Sequence, residues 1–161
     1  MKEHVSYTVI GHIYSPYNDI EGVPIQPMGA KGVRGTVEID EDYRDGLKDL
    51  EGFSHIVLLY HFHLSNGPLL TVRPFLDDTP RGIFATRAPR RPNPIGLSIV
   101  KLLKVGGTTL TIEDVDIVDG TPLLDIKPHV PDFDHRNVEK TGWLSLRAGG
   151  ARKQKADDRF K

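Results

Sequence analysis

The chain has 161 residues, 38% of them apolar and 27% charged, with a net charge of −1 and no cysteine. That length supports one domain with a sizeable core. The composition excludes a disulfide framework, thiolate chemistry and a broadly basic nucleic-acid binder, so any polyanion site must be a local patch. No apolar run is long enough to span a membrane, and Met1 to His4 carry no signal-peptide core, which together lead to the expectation of a cytoplasmic protein without membrane contact.

Tyr7 to Ile13 reads as a first strand, rich in β-branched and aromatic residues. Ser15 to Gly35 holds Pro16, Pro24 and Pro27 and reads as a long loop, the kind that in a compact domain usually carries function. Thr36 to Ile39 reads as a short strand, and Glu41 to Leu50 as a turn of helix stopped by Gly52. The run Phe53 to Leu64 (FSHIVLLYHFHL) is the strongest strand signal. Ile83 to Thr86 and Leu97 to Val105 are expected as strands flanking an arginine-rich loop. Gly106 and Gly107 mark a turn before the alternating strand Thr108 to Val115. Leu123 to Ile126 and Trp143 to Leu146 complete the strand set. Many short strands between glycine and proline turns, with no βαβ alternation, predict a mainly β fold. It is a single compact β-barrel with long functional loops and no Rossmann fold. The barrel domain is expected over residues 1–148. The polar, basic tail 149–161 is expected to be a frayed terminus, with a nucleic-acid arm as the alternative.

The segment Phe84 to Ser98 (FATRAPRRPNPIGLS) crowds Arg87, Arg90 and Arg91 among Pro89, Pro92 and Pro94. Each proline fixes φ and pushes the residue before it toward extended geometry, so the loop is stiff and cationic. Guanidinium forks suit carboxylates and phosphates, and a stiff site loses little entropy on binding. The plainer reading is a solvated basic turn. His61 and His63 share one face of the expected strand, with His55 on the same parity. Two such imidazoles can hold a metal, but no cysteine and no nearby carboxylate completes a set, so no metal is assigned. Asp116, Asp119 and Asp125 form an acidic cluster in which Asp119-Gly-Thr-Pro122 is by itself an ordinary turn signature. Exposed backbone groups at such a turn can also grip a purine edge or a ribose. No phosphate-binding glycine motif and no nucleophile elbow is present, so an enzyme here works by positioning ligands rather than by covalent catalysis. Residue chemistry alone stops at a barrel with a rigid cationic loop and an unnamed ligand.

The same loop, together with Ile10 to Tyr17 (IGHIYSPY), Leu50 to His55 (LEGFSH), Tyr60 to His63 (YHFH) and Asp116 to Pro128 (DIVDGTPLLDIKP), resembles in order the signature of the TrmO/YaeB/TsaA-like family. The resemblance covers most of residues 7 to 134. It implies a compact β-barrel methyltransferase that uses S-adenosylmethionine, forms a homodimer with the cofactor near the subunit interface, and methylates N6 of threonylcarbamoyl-adenosine at tRNA position 37. Carried over by residue, it implies cofactor contacts at Ile25, Gln26, Pro27, His63, Leu64, Arg87, Leu97, Asp119, Gly120, Thr121 and Pro122. Substrate contacts are expected at Arg90, Arg91 and Asn93. No residue is an obvious base from the sequence: Asp116, Asp119, His63 or water could take the proton, with an aspartate, Asp116 or Asp119, the expected one. The family loop often reads Pro-Arg-Gln-Pro where this chain has Pro24-Ile25-Gln26-Pro27, and often has tyrosine where this chain has His129. Bacterial members carry a further C-terminal domain. A methyltransferase acting on a small molecule or protein, a non-catalytic RNA-binding barrel and a histidine-dependent metal hydrolase are the competing readings.

Overall fold

The computed structural model describes residues 1–25, 27–75 and 77–145. Six antiparallel strands close into one barrel in the order β1-β2-β7-β6-β3-β8, and a two-stranded hairpin, β4-β5, stands apart from it. The strands are β1 Gly11–Tyr14, β2 Arg34–Ile39, β3 His55–His61, β4 Thr71–Val72, β5 Arg81–Gly82, β6 Ile95–Gly106, β7 Thr109–Glu113 and β8 Thr121–Pro128. Closure removes free sheet edges over the paired rungs. Alternation then decides which side chains fill the interior. Ile13, Val37, Ile56, Leu58, Val100, Leu110, Ile112 and Leu123 are all buried there.

Several expected elements differ. Residues 7–10 stay outside the first strand; Val5 and Tyr7 are exposed, because β8 offers β1 paired partners only over Thr121 to Leu123. Ile83 to Thr86 is not a strand but a 3₁₀ turn over Ile83–Ala85, closed where the Thr86 hydroxyl donates back to the Ile83 carbonyl at 2.9 Å. Trp143 to Leu146 is likewise not a strand in its described part. Gly142–Leu144 forms a 3₁₀ turn that opens on Gly142 at φ +57°, and the Trp143 indole N–H bonds to the Ala85 carbonyl at 2.8 Å. Glu41–Leu47 and Leu50–Gly52 are 3₁₀ turns in the region expected to be helical. Leu146 and the tail 149–161 lie outside the described residues.

The β3/β6 ladder runs through seven rungs, from His55 opposite Lys101 to His61 opposite Ile95. This register puts Tyr60, Gly96 and Ser98 inside the barrel and leaves Leu59, Leu97 and Ile99 on its outer wall. The β3/β8 ladder slips between Leu59 and Tyr60. The break in register falls in the wall beside Tyr60, and such irregularities are common next to functional sites.

Candidate active site at one end of the barrel

The end where β3 stops and β6 starts gathers most of the candidate residues. The arginine loop enters β6 here, and it is held from below by its own arginines. Arg91 Nη1 donates to the carbonyls of Ile83, Thr86 and Ala88 at 3.1, 2.7 and 3.3 Å, and its guanidinium lies 5.8 Å from the Phe84 ring centroid. Arg90 donates to Asn66 and Gly67 carbonyls at 2.6 and 3.0 Å. These two side chains therefore brace the loop, a role the sequence did not reveal. Asn93 is exposed.

Arg87 is exposed at the same end, and its charge acts on both Asp116 and Tyr60. Asp116 lies in the connection from β7 to β8. Its Oδ1 accepts a 2.6 Å hydrogen bond from the Ser98 hydroxyl, and Ser98 in turn is 2.9 Å from the Tyr60 hydroxyl. Burial pushes the Asp116 carboxyl up to about 7, against the opposing pull of the Ser98 hydrogen bond and the Arg87 charge. A carboxyl poised there suits proton transfer near neutral pH.

Asp119 is differently employed. Its Oδ1 accepts from the Ser15 amide at 2.9 Å, its own amide donates to the Tyr17 carbonyl at 2.7 Å, and the Ser15 hydroxyl bonds to the Ile117 carbonyl. Gly120 sits at φ +76°, a left-handed conformation that favours glycine, and its amide bonds to Ile13 at 2.8 Å. The Thr121 hydroxyl donates to Val118 at 2.6 Å. The turn Asp119 to Pro122 is thus rigid and locked to the loop after β1. Asp116 is the aspartate whose carboxyl pKa burial raises, and Asp119 builds the turn.

The remaining expected cofactor residues divide. Ile25 is half-buried in the long loop, and Pro27 begins a 3₁₀ turn over Pro27–Ala30. Gln26 lies outside the described residues. Burial, followed by the neighbouring charges of His61 and His12, lowers the His63 pKa and keeps that ring neutral near pH 7. Leu64 is exposed. Leu97 is 46% exposed and faces outward opposite Leu59, on the other side of the wall from Ser98 and Asp116. One copy of the chain does not bring Leu97 to the Asp116 end of the interior. Among the described residues, no group of three His, Asp or Glu side chains is arranged to hold a metal. The metal-hydrolase reading has no geometric support there.

A concavity of about 370 Å³ opens at the opposite end, lined by Ile10, Ile39, Tyr43, Leu50 and Phe53. It contains none of the residues just described. On the outer wall, Val57, Leu59, Leu97 and Ile99 line a groove of about 330 Å³.

The model of the tRNA-methyltransferase O N-terminal domain family matches residues 12–135. The chain belongs to that family. A "probable S-adenosyl-L-methionine-binding protein" of Pyrococcus abyssi is 50% identical over 156 residues, covering 97% of this chain and 85% of that one. The tRNA (adenine(37)-N6)-methyltransferase of Escherichia coli K12 is 41% identical over 132 residues, 76% of this chain and 56% of that enzyme. The crystal structure of TrmO from Pseudomonas aeruginosa superposes with a TM-score of 0.73 at 36% identity, over 88% of this chain and 63% of that one. This chain therefore spans a little over half of the bacterial enzyme and most of the archaeal relative. Among its described residues, no helix is long and apolar enough to cross a membrane.

Proposed function

We propose that this chain is an S-adenosylmethionine-dependent methyltransferase that methylates N6 of adenosine 37 in tRNA, with threonylcarbamoyl-adenosine as the acceptor nucleoside. The observation that carries the reading is the meeting of Arg87, Asp116 and the Asp119–Pro122 turn at one barrel end. The residues fit the cofactor: a guanidinium for its carboxylate, a rigid turn presenting backbone groups to its nucleoside, and a carboxyl of near-neutral pKa beside them. When bound, the cofactor supplies an electrophilic methyl on a positively charged sulfur. Arg87 holds a carboxylate, and the Asp119 turn orients the nucleoside. The bound cofactor would donate that methyl to the acceptor nitrogen and keep the electron pair on sulfur, and Asp116 would take the proton released from nitrogen.

The homodimer belongs to the same reading. The outer wall of β3 and β6 presents Leu59, Leu97, Ile95 and Ile99 as an apolar strip, with Leu97, Ile95 and Ile99 each more than a third exposed. A second copy seated on this strip would cover it and bring Leu97 to the partner's cofactor. Arg90, Arg91 and Asn93 keep positive charge and amide donors at the site's rim for tRNA phosphates, and that contribution falls with salt. The protein works in the cytoplasm with its tRNA.

The test is nucleoside mass spectrometry of threonylcarbamoylated tRNA incubated with the protein and S-adenosylmethionine. The expected product carries one added methyl on the position-37 nucleoside. Cofactor binding with an unchanged nucleoside would move the acceptor to a small molecule or protein. No cofactor binding would leave only an RNA-binding barrel.

A further inference from the structure

Inside a mostly apolar barrel, β6 presents Gly96, Ser98, Val100 and Leu102 to the interior. Ser98 is 1% exposed, so its hydroxyl must be satisfied within the protein. A serine hydroxyl has one proton to give. When Asp116 is ionised, that proton goes to its Oδ1 at 2.6 Å, and the 2.9 Å contact with Tyr60 then has the phenol as donor. The chain of bonds therefore has one direction, from Tyr60 through Ser98 to the carboxylate.

Tyr60 is itself clamped. A Cβ at Gly96 would fall 2.2 Å from Tyr60 Cε2, which shows how closely the ring lies on the β6 backbone. Phe62 meets the ring edge-on at a centroid distance of 5.5 Å. Burial, reinforced by the Asp116 charge, raises the Tyr60 pKa, so the phenol remains a donor throughout the working pH range. The charged and titratable groups acting on Asp116 are Arg87 from the arginine loop, Tyr17 from the loop after β1 and Tyr60 from β3.

Resting on the reading of Asp116 as proton acceptor, we infer that Tyr60 and Ser98 are positioning residues for methyl transfer, a one-way hydrogen-bond chain that holds the Asp116 carboxylate at the barrel end for the acceptor nitrogen's proton. Neither touches the reacting atoms. Ser98 fixes Oδ1 and favours the ionised carboxylate, Tyr60 orients Ser98, and Gly96 makes room for Tyr60.

The experiment compares wild type, Ser98→Ala, Ser98→Thr and Tyr60→Phe by three readouts: cofactor affinity, single-turnover methylation rate against pH, and the titration of Asp116 followed by NMR of ¹³C-labelled aspartate. Cofactor affinity should change by less than about threefold. The rate should rise with pH as Asp116 ionises. Removing the Ser98 donor should move that midpoint and the NMR titration upward by roughly one pH unit, since a hydrogen bond to the charged form is lost. Ser98→Ala should also slow the transfer by about tenfold. Ser98→Thr should restore both, and Tyr60→Phe should move both in the Ser98→Ala direction by less. If Ser98→Ala does not fold, Tyr60→Phe decides by the same readouts. Folded variants with wild-type rate, midpoint and Asp116 titration would overturn the inference. Should the wild type transfer no methyl to tRNA while the Asp116 resonance still shifts in the variants, the acceptor assignment falls and the hydrogen-bond chain stands.

Discussion

Replacing Gly96 by alanine probes the packing that holds the site together. The new Cβ would lie 2.2, 2.5 and 2.8 Å from Tyr60 Cε2, Cζ and Cδ2. Ordinary contact begins near 3.4 Å, so the ring must retreat by about 1.2 Å. It has little room to do so, because Phe62 stands against it and the barrel interior beside it is filled. Overpacking of this kind costs about 1–3 kcal/mol. A ring displaced by that amount also loses its hydrogen bond to Ser98, adding about 1 kcal/mol. The total of about 2–4 kcal/mol corresponds to a Tm lower by roughly 4–16 °C in a chain of this size. Calorimetric melting of Gly96→Ala beside Gly96→Ala/Tyr60→Leu measures it, because leucine removes the clashing ring atoms. The two substitutions should couple favourably by at least about 1 kcal/mol. A Gly96→Ala protein that melts with wild type, or a double variant whose losses simply add, would refute the account of Tyr60 as a ring clamped on the β6 backbone.

Asp116→Asn should raise stability above pH 7 while cutting methyl transfer by about 100-fold or more. Burial pushes the Asp116 carboxyl up to about 7, well above the ordinary carboxylate range, so the folded state keeps a proton that the unfolded chain releases between the two. Wild-type stability therefore falls as pH rises through that window, by up to about 4 kcal/mol, and the asparagine variant escapes the loss. Chemical denaturation at pH 5 and pH 8 gives the difference, and a variant less stable than wild type at pH 8 would contradict it. Arg91→Lys keeps the charge but loses three carbonyl contacts; it should lower stability by about 1–2 kcal/mol in a melting experiment, whereas an arginine serving RNA alone would leave Tm unchanged. Leu97→Glu should break the proposed dimer in sedimentation analysis with less than about 0.5 kcal/mol change in folding of the single chain, since the side chain faces outward; a wild type that sediments as a monomer would refute the dimer itself.

Much of the barrel was legible from short runs of strand-forming residues between turns. Thr108 to Val115 showed the period of two, while Phe53 to Leu64 and Leu97 to Val105 showed dense apolar content, and the structure pairs the latter two rung by rung. Ends were less legible. Tyr7 to Val9 have strand-like side chains but lie outside the strand, and only Ile10 reaches backbone partners, Leu123 and Asp40, because pairing depends on a partner strand that local sequence does not contain. Ile83 to Thr86 looked extended, and the Thr86 hydroxyl turned it back on itself. Two-residue strands such as Thr71–Val72 leave no periodicity to read. At the site, the stiffness of the arginine loop was readable from its prolines, but its bracing by Arg90 and Arg91 was not, since their acceptors are backbone carbonyls of other turns. The Tyr60–Ser98 contact joins residues far apart in sequence, and only the β3/β6 register brings them together. The outward direction of Leu97 follows from the same register. It places Leu97, an expected cofactor contact, on the other side of the wall from Asp116 within one chain.

The central claim is that the barrel end formed by Arg87, Asp116 and the Asp119 turn binds S-adenosylmethionine. Isothermal titration of wild type and Arg87→Ala tests it most directly. The account predicts saturable one-to-one binding by wild type. It also predicts a loss of about 10- to 100-fold in affinity on removing the guanidinium, with unchanged melting of the apo protein. Equal cofactor affinity in both proteins, or no binding by wild type, would contradict it.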